Sequence, residues 1–488
     1  MAVFLPAFGG ASIRQRLERP VDGAWLGVFR ALFGVTMCVS MIRFLAYGWI
    51  GRFFVEPTLH FKYWGFAWVK PLGPAAMTGL FYLLALLSLC VAAGLFFRVT
   101  AWLFAGGLIY VQLIDVSTYL NHYYLAALLS CLLAASPAGT VLSVDGWIKR
   151  HKRIGAQGSL GASASPAGGS TNVDSFWLYL FRFQVGVVYV FAGLAKLNSD
   201  WLLHAQPLRI WLGTKTDIPI LGPLFAVDGV PLVMSWAGFL FDATIVFWLS
   251  ARRTRPFAYL VLLVFHALTR VLFPIGMFPL IMSLSALVFF DADWPRKLVS
   301  RVRPWLGGRS GALALERVEP APKMLGGRAR TLAWSLAAMY CAIQLALPLR
   351  YLAYGGNVLW HEQGMRFSWR VMLRAKGGSA TFVVRERPSG RQRLIEPRRY
   401  LTELQEAEMV SQPDLILQLA HQIKRDFTQR GWRNVEVTVQ SRVSLNGRRA
   451  SALIDPHANL AHHPWGLGPL GFITSAPSEA PRHTRPLL

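Results

Sequence analysis

Runs of about twenty apolar residues recur along the first 350 positions, and they constrain this chain more than any other feature. A helix of that length just crosses the ~30 Å hydrocarbon layer of a bilayer. Within lipid every backbone N–H and C=O must bond inside its own segment or a closed barrel, so runs this long and continuous predict helices. Nine segments fit, near Ala24–Leu45, Met77–Phe97, Thr100–Tyr119, His122–Ala135, Phe176–Lys196, Leu232–Ser250, Phe257–Phe273, Met277–Phe290 and Thr331–Leu349. The fourth and eighth are the shortest. Composition agrees: 54% of residues are hydrophobic and 15% charged, against roughly 25% charged in soluble proteins. This excludes a wholly soluble enzyme, a disordered chain and a disulfide scaffold. The four cysteines lie far apart inside apolar runs and read as small core residues.

The net charge of +25 at first suggests nucleic acid. The positions of the charges argue otherwise. With the N-terminus inside, Arg14/Arg16/Arg19, Arg98, Lys149/Arg150/Lys152/Arg153, Arg252/Arg253/Arg255 and the long stretch from Arg296 to Arg330 all fall in inner loops. The outer loops hold few cations, among them Arg52, Lys62, Lys70, Arg209 and Lys215. That asymmetry follows the positive-inside rule, and no nucleic-acid partner is expected. Because the first short apolar stretch precedes these arginines, no cleavable signal peptide is expected.

The reading is therefore mainly α: a polytopic membrane bundle of about nine transmembrane helices over 1–350, then a small α+β extracytoplasmic domain over 351–461. A Gly/Ser/Ala-rich linker is expected at Ile154–Val173, and the Pro-rich 462–488 reads as a disordered tail. In the polar part, Ala380–Arg387 with Gln392–Glu396 reads as a hairpin, and Pro413–Arg430 as an amphipathic helix. Val435–Leu445 with Arg448–Ile454 reads as a second hairpin, turning at Asn446-Gly447.

Ionisable residues in apolar spans are costly and face the bundle interior. Here they are Arg30, Asp115, Arg182, Lys196, Asp242 and His266, with Arg43 and His122 at span boundaries. Lys196 is either a snorkelling lysine at a helix end or a base kept neutral by burial. Tyr189, Gly193 and Lys196 share one helical face, and Gly193 permits close approach of a ligand or a helix. Asn121-His122 is either a polar turn between spans or a hydrogen-bonding pair over a ligand. His266 reads first as an interhelical hydrogen bond. Asp115, Arg182 and Asp242 read as partners of one another. No phosphate loop, metal cluster or serine elbow is present.

Several short segments, in order, resemble the vitamin K-dependent γ-glutamyl carboxylase family, whose membrane part is the horizontally transferred transmembrane domain. They are Asn121-His122 with Tyr124-Leu125; Ser143-Val144-Asp145-Gly146; Phe191-Ala192-Gly193-Leu194-Ala195-Lys196-Leu197 with Asp200-Trp201; and Phe265-His266. Ile275-Gly276-Met277-Phe278, Trp294-Pro295-Arg296-Lys297-Leu298, Phe367-Ser368-Trp369 and Ile454-Asp455-Pro456 follow.

The resemblance implies an enzyme in which a lysine deprotonates a reduced naphthoquinone, reduced vitamin K or menaquinol. Reaction with O2 then yields a strong base that removes a γ-proton from a protein glutamate, and the carbanion captures CO2. It implies Lys196 as the catalytic base and His122 beside the quinol, with Asn121, His266, Tyr189, Gly193 and Trp369 around quinol and substrate. The implied partners are membrane lipid, quinol from the bilayer and a Glu-containing peptide or protein. Ala195 stands where vertebrate members carry a second lysine, and the chain runs only a short way past Pro456. An Arg/Ala-rich composition without eukaryotic secretory signs suggests a bacterial inner-membrane homologue, N-terminus cytoplasmic and C-terminal domain periplasmic. The competing expectation is a non-enzymatic transporter or assembly protein that keeps the fold.

Overall fold

A computed structural model describes residues 13–157, 172–302 and 327–482. Among these, each of the nine apolar segments is helical: α1 (Ala24–Ala46), α2 (Pro74–Ala93), α3 (Phe97–Ile114), α4 (Asn121–Ala135), α5 (Ser175–Ala195), α6 (Val230–Ser250), α7 (Arg255–Leu272), α8 (Phe278–Ser285) and α9 (Gly327–Leu349). Seven are long and apolar enough to cross a bilayer, while α4 and the α8 segment, which continues as a 3-10 turn to Phe289, are too short by length. The shortfall falls on the two segments that were shortest in the sequence. Proline in the first turn starts α2, α6, α7 and α8, where its missing N–H has no intrahelical partner to lose. Gly94, at φ +69°, ends α2 in the left-handed conformation and turns the chain directly into α3.

The helix α5 is the centre of the bundle, with 72% of its apolar window buried against 22% for the peripheral α9. A hydrophobic core runs through Phe29, Phe33, Phe81, Phe104, Leu129, Phe181, Val188 and Ile245. Arg30, buried on α1, donates to the carbonyls of Ala138 (2.8 Å) and Leu142 (2.6 Å), so it serves chain ends that no helix satisfies.

The charged residues expected to pair with one another do not. Arg182 donates to the carbonyls of Val288, Phe289 and Phe290 at the end of the α8 segment. Asp115 accepts from the Ser117 N–H and from Gln405 of the C-terminal domain, each at 2.8 Å. Asp242 pairs with Lys196. Helix geometry explains the separation: Arg182 lies fourteen residues before Lys196, roughly 21 Å along α5.

The C-terminal domain is built on an antiparallel sheet ordered β2-β1-β3, from β1 (Lys376–Glu386), β2 (Gln392–Ile395) and β3 (Val435–Leu445). Phe382 faces Ile395 on one side and Val439 on the other. Burial alternates along β3, as a half-covered sheet requires. Helix α10 (Pro413–Gln429) covers that face with Leu415, Leu419 and Ile423. The first hairpin and the helix match the sequence reading. The second hairpin does not: beyond Asn446-Gly447 only an isolated bridge joins Val443 to Ser451.

The expected disordered tail is also corrected, since residues 462–482 fold onto this domain. Ile454 bridges Ile473, and Phe472 is 3% exposed. High Pro/Gly content suggested disorder, but Phe472 and Ile473 supply enough apolar surface to dock. In the expected linker, helix extends to Gln157, and 158–171 lie outside the described residues.

Candidate active site

Lys196 caps the C-terminal end of α5, and its side chain turns inward. Its Nζ donates to Asp242 Oδ2 at 2.6 Å and to the Ala192 carbonyl at 3.3 Å. Both charged side chains are nearly buried, at 7% and 10% exposure. The snorkelling reading fails on that burial. Gly193 explains how Asp242 reaches the lysine. A Cβ at Gly193 would stand 2.8 Å from the backbone nitrogen of Ala243, so α5 and α6 touch main chain to main chain one residue from the carboxylate. Gly193 therefore serves the helix contact and does not line the cavity. The Trp201 ring lies 5.0 Å from Nζ and is tethered to α6 by its indole N–H on the Ser235 carbonyl, 2.8 Å.

Two turns back on the same face, the Tyr189 hydroxyl meets His266 Nε2 at 2.9 Å. The interhelical bond expected of His266 is present, while its Nδ1 is buried without a partner among the described residues. Lys196, Asp242, Tyr189, His266 and Trp201 line a cavity of about 170 Å³ whose remaining walls are mostly apolar.

A second cavity, about 560 Å³, lies beside it and is lined by Asn121, His122, Tyr123 and Arg43. The two share a wall of Ile275, Phe278, Val371 and Met372. Phe278 stands between the histidines, its ring centre 6.5 Å from His122 and 6.2 Å from His266. Gly276, at φ +60°, lets the chain pass close to His122: a Cβ there would lie 3.5 Å from the imidazole. Asn121 opens α4 and accepts from the Tyr119 hydroxyl at 2.9 Å. Five of the seven residues expected at the site, Lys196, His122, Asn121, His266 and Tyr189, thus meet around these joined volumes.

Trp369 does not. It is fully buried and stacked on Tyr124 at 5.0 Å, behind the wall and outside either lining. Its neighbours Val371 and Met372 form the wall instead. Phe367, Trp369 and Met372 all have φ near +60°, which costs roughly 1–2 kcal/mol each for residues with a side chain. Such a backbone is held only where its surroundings fix it, and here it closes the cavities from the C-terminal domain's side.

Outward, the larger cavity shares Asn121, Arg370, Met372 and Glu408 with a mouth of about 750 Å³. Around that mouth Arg366 pairs with Asp414 at 2.6 Å, and Lys376 and Arg374 both reach Glu362. Arg370 instead stacks over Tyr351 at 4.0 Å and makes no ion pair among the described residues.

The domains are locked together beside the lysine. Asp200, four residues after Lys196, receives Arg448 in a two-pronged bond at 2.6 and 2.7 Å and the Asn446 amide at 2.9 Å. Burial pushes the Asp200 carboxyl up, but the Arg448 guanidinium and the Asn446 amide outweigh it and hold it below the usual carboxylate range.

Sequence reasoning had both Asp242 and Lys196 on its list but not their pairing, across 46 residues of chain. Arg370 carried no signal beyond its residue type, and Asp200 was marked only as part of the Asp200-Trp201 segment, with no partner assigned. No group of three or more metal-binding side chains occurs among the described residues.

Residues 18–294 match the family described as HTTM domain, and residues 329–478 match vitamin K-dependent gamma-carboxylase, lumenal domain. No solved structure matches the chain. The first match alone spans more than half of the sequence, and the second covers most of the polar part. A multi-pass helical bundle joined to a domain of that second kind identifies the chain as a member of the vitamin K-dependent γ-carboxylase family.

Proposed function

We propose that this protein is a naphthoquinol-dependent γ-glutamyl carboxylase of the membrane, using O2 and CO2, with Lys196 as the base. One observation carries the reading: a buried lysine, paired with one carboxylate, opens on an apolar cavity that shares a wall with a second cavity bearing His122. The residues fit a reduced naphthoquinone. The larger cavity has the size usual for small-molecule sites, is mostly apolar, and holds a few convergent polar groups. When bound, the reduced vitamin K or menaquinol would supply an acidic hydroxyl and the reducing power for O2.

Lys196 and Asp242 work as a unit. The proton lies between Nζ and Oδ2, and its shift onto Oδ2 leaves a neutral amine facing the cavity, able to take the proton of a bound hydroxyl. With Asp242 holding the shifted proton and neutral, the positive charge that forms on the amine is balanced by the negative charge left on the deprotonated hydroxyl beside it, so no unpaired ion is left in a dry site. His122 and Asn121 orient the quinol oxygen by hydrogen bonding, and the Tyr189–His266 pair fixes the opposite wall. Apolar walls keep bulk water from quenching a strong base. Arg370, free of ion pairs at the mouth, meets the carboxylate of an incoming glutamate.

The Lys/Arg asymmetry supports a topology with the N-terminus cytoplasmic, the C-terminal domain outside, glutamate entering from that side and quinol from lipid. Seven or nine spans, an odd count either way, put the two termini on opposite sides, and the count of nine, with α4 and α8 crossing, also keeps Lys149–Arg153 and Arg252–Arg255 in inner loops. A bacterial inner membrane is the proposed location.

A buried ion pair is also what a purely structural lysine makes, and this favours the alternative of a non-enzymatic homologue. The test supplies purified protein with reduced vitamin K, labelled bicarbonate, oxygen and a Glu-containing peptide. Quinone epoxide and fixed label are then measured separately. Epoxide with fixed label supports the full reading, and epoxide alone supports the oxygenase half. Neither product, from folded protein that binds quinone, supports the non-enzymatic alternative.

A further inference from the structure

Away from the Lys196 cavities, about 830 Å³ of open space lies between the α1–α2 loop and the C-terminal domain. Lys62 and Lys70 line it from the loop, and Lys424 and Arg425 from α10, with His421 and His463 between them. No acidic residue contributes to the lining. None of the four cations is ion-paired among the described residues. Two of the ammonium groups are fixed by main chain: Lys62 Nζ donates to the carbonyls of Val69 (2.6 Å) and Ile114 (3.0 Å), and Lys424 Nζ to that of Ala461 (2.9 Å). Each keeps at least one further donor. The two walls are joined in register, because the Lys62 N–H donates to Gln418 Oε1 and Gln418 Nε2 returns a bond to the Lys62 carbonyl. Four positive charges are thus gathered around one volume with no acidic residue in its lining; Lys62 feels a carboxylate from behind, that of the buried Asp115.

The surroundings say what the counter-charge is. The same loop presents Trp64, Phe66, Trp68 and Leu72 to the outside, Trp68 with 74% of its surface exposed. Two residues after Leu72 the chain enters the membrane-spanning α2 at Pro74. Exposed indoles beside a span mark the headgroup layer, and cations at that depth face phosphates. We propose that this basic recess binds the phosphate headgroup of an anionic phospholipid, with its acyl chains lying against the exposed aromatics of the loop. One lipid would then touch both domains and hold the C-terminal domain against the membrane. This inference is independent of the catalytic reading.

The experiment uses the full-length protein, delipidated in neutral detergent, and native mass spectrometry to count bound phosphatidylglycerol against phosphatidylcholine. A triple variant, Lys70→Ser, Lys424→Ser and Arg425→Ser, removes three cations; none of them belongs to the active site. With about a fivefold effect per cation at a membrane surface, phosphatidylglycerol affinity should fall at least ~10-fold while phosphatidylcholine binding stays level. Circular dichroism and monodisperse elution establish that the variant is folded, and the single Lys424→Ser change serves if it is not. Competition arms use inorganic phosphate and a poly-glutamate decapeptide. Phosphate that displaces phosphatidylglycerol at equal concentration overturns the lipid assignment in favour of a free anion. Decapeptide binding that the variant abolishes, with lipid binding unchanged, overturns it in favour of an acidic protein partner. Equal phosphatidylglycerol binding by wild type and variant overturns the site altogether.

Discussion

Replacing Asp200 with Asn tests whether the C-terminal domain is locked to the bundle at the end that carries Lys196. Asp200 accepts both Arg448 nitrogens, at 2.6 and 2.7 Å, and both side chains are at most 10% exposed. Breaking a buried pair by removing one partner costs about 3–5 kcal/mol, because the remaining charge stays desolvated. The lower end applies here, since Arg448 also donates to the Glu479 carbonyl. About 3 kcal/mol corresponds to roughly a hundredfold larger population of locally opened C-terminal domain. Hydrogen exchange at the amides around Asn446, one of which bonds to the Ala375 carbonyl at 2.8 Å, should accelerate by that factor. Exchange inside α1 should not change. Adding Arg448→Met to Asp200→Asn should recover part of the loss, because the orphaned charge is gone. The pH dependence has a definite sign. Asp200 is held below its ordinary value, so its stabilisation is fully present above about pH 4 and is lost as pH falls through the folded value. Wild-type melting temperature should drop across that window more than that of Asp200→Asn. If Asp200→Asn exchanges at wild-type rates, the clamp is an incidental contact and the reasoning is refuted.

Further predictions concern the site and the topology. Lys196→Ala and Lys196→Arg should both abolish epoxide formation with quinone binding retained, because a guanidinium does not give up its proton; near-normal activity of the arginine variant would mean that the base lies elsewhere. Gly193→Leu should force α5 from α6 and part Lys196 from Asp242, costing about 1–3 kcal/mol of thermal stability and most of the activity; a variant equal to wild type in both would show that the helix contact is slack. His122→Ala should lower epoxidation far more than folded yield, as judged by size-exclusion recovery. The opposite pattern would make His122 a packing residue. A reporter fused at Gly390 should behave as exported, and cytoplasmic reporter activity there would reverse the orientation.

Local signals carried much of this protein. Apolar run length predicts the helices because a span needs about twenty residues whatever surrounds it. The charge asymmetry between loops is likewise a property of position in the chain. Phe382 and Val439 sit in strands whose alternation is local, and α10 is legible from its own periodicity. Lys196 could be picked out by its place at a span end and the motif around it.

Its partner could not. Asp242 is set opposite Lys196 only because Gly193 and Ala243 let two helices touch, and no spacing between positions 196 and 242 encodes that distance. Trp369 lies behind the wall while Met372 lines the cavities, because a left-handed backbone reorders which side chains of that segment face inward. Residues 462–482 look disordered by composition, yet Phe472 and Ile473 dock on a surface that exists only once the sheet and Ile454 are in place. Sequence by itself determined which segments enter the membrane and which residue types are available for chemistry. Tertiary packing decided which charges meet, because contact between distant segments depends on helix-to-helix distances that a linear pattern does not contain.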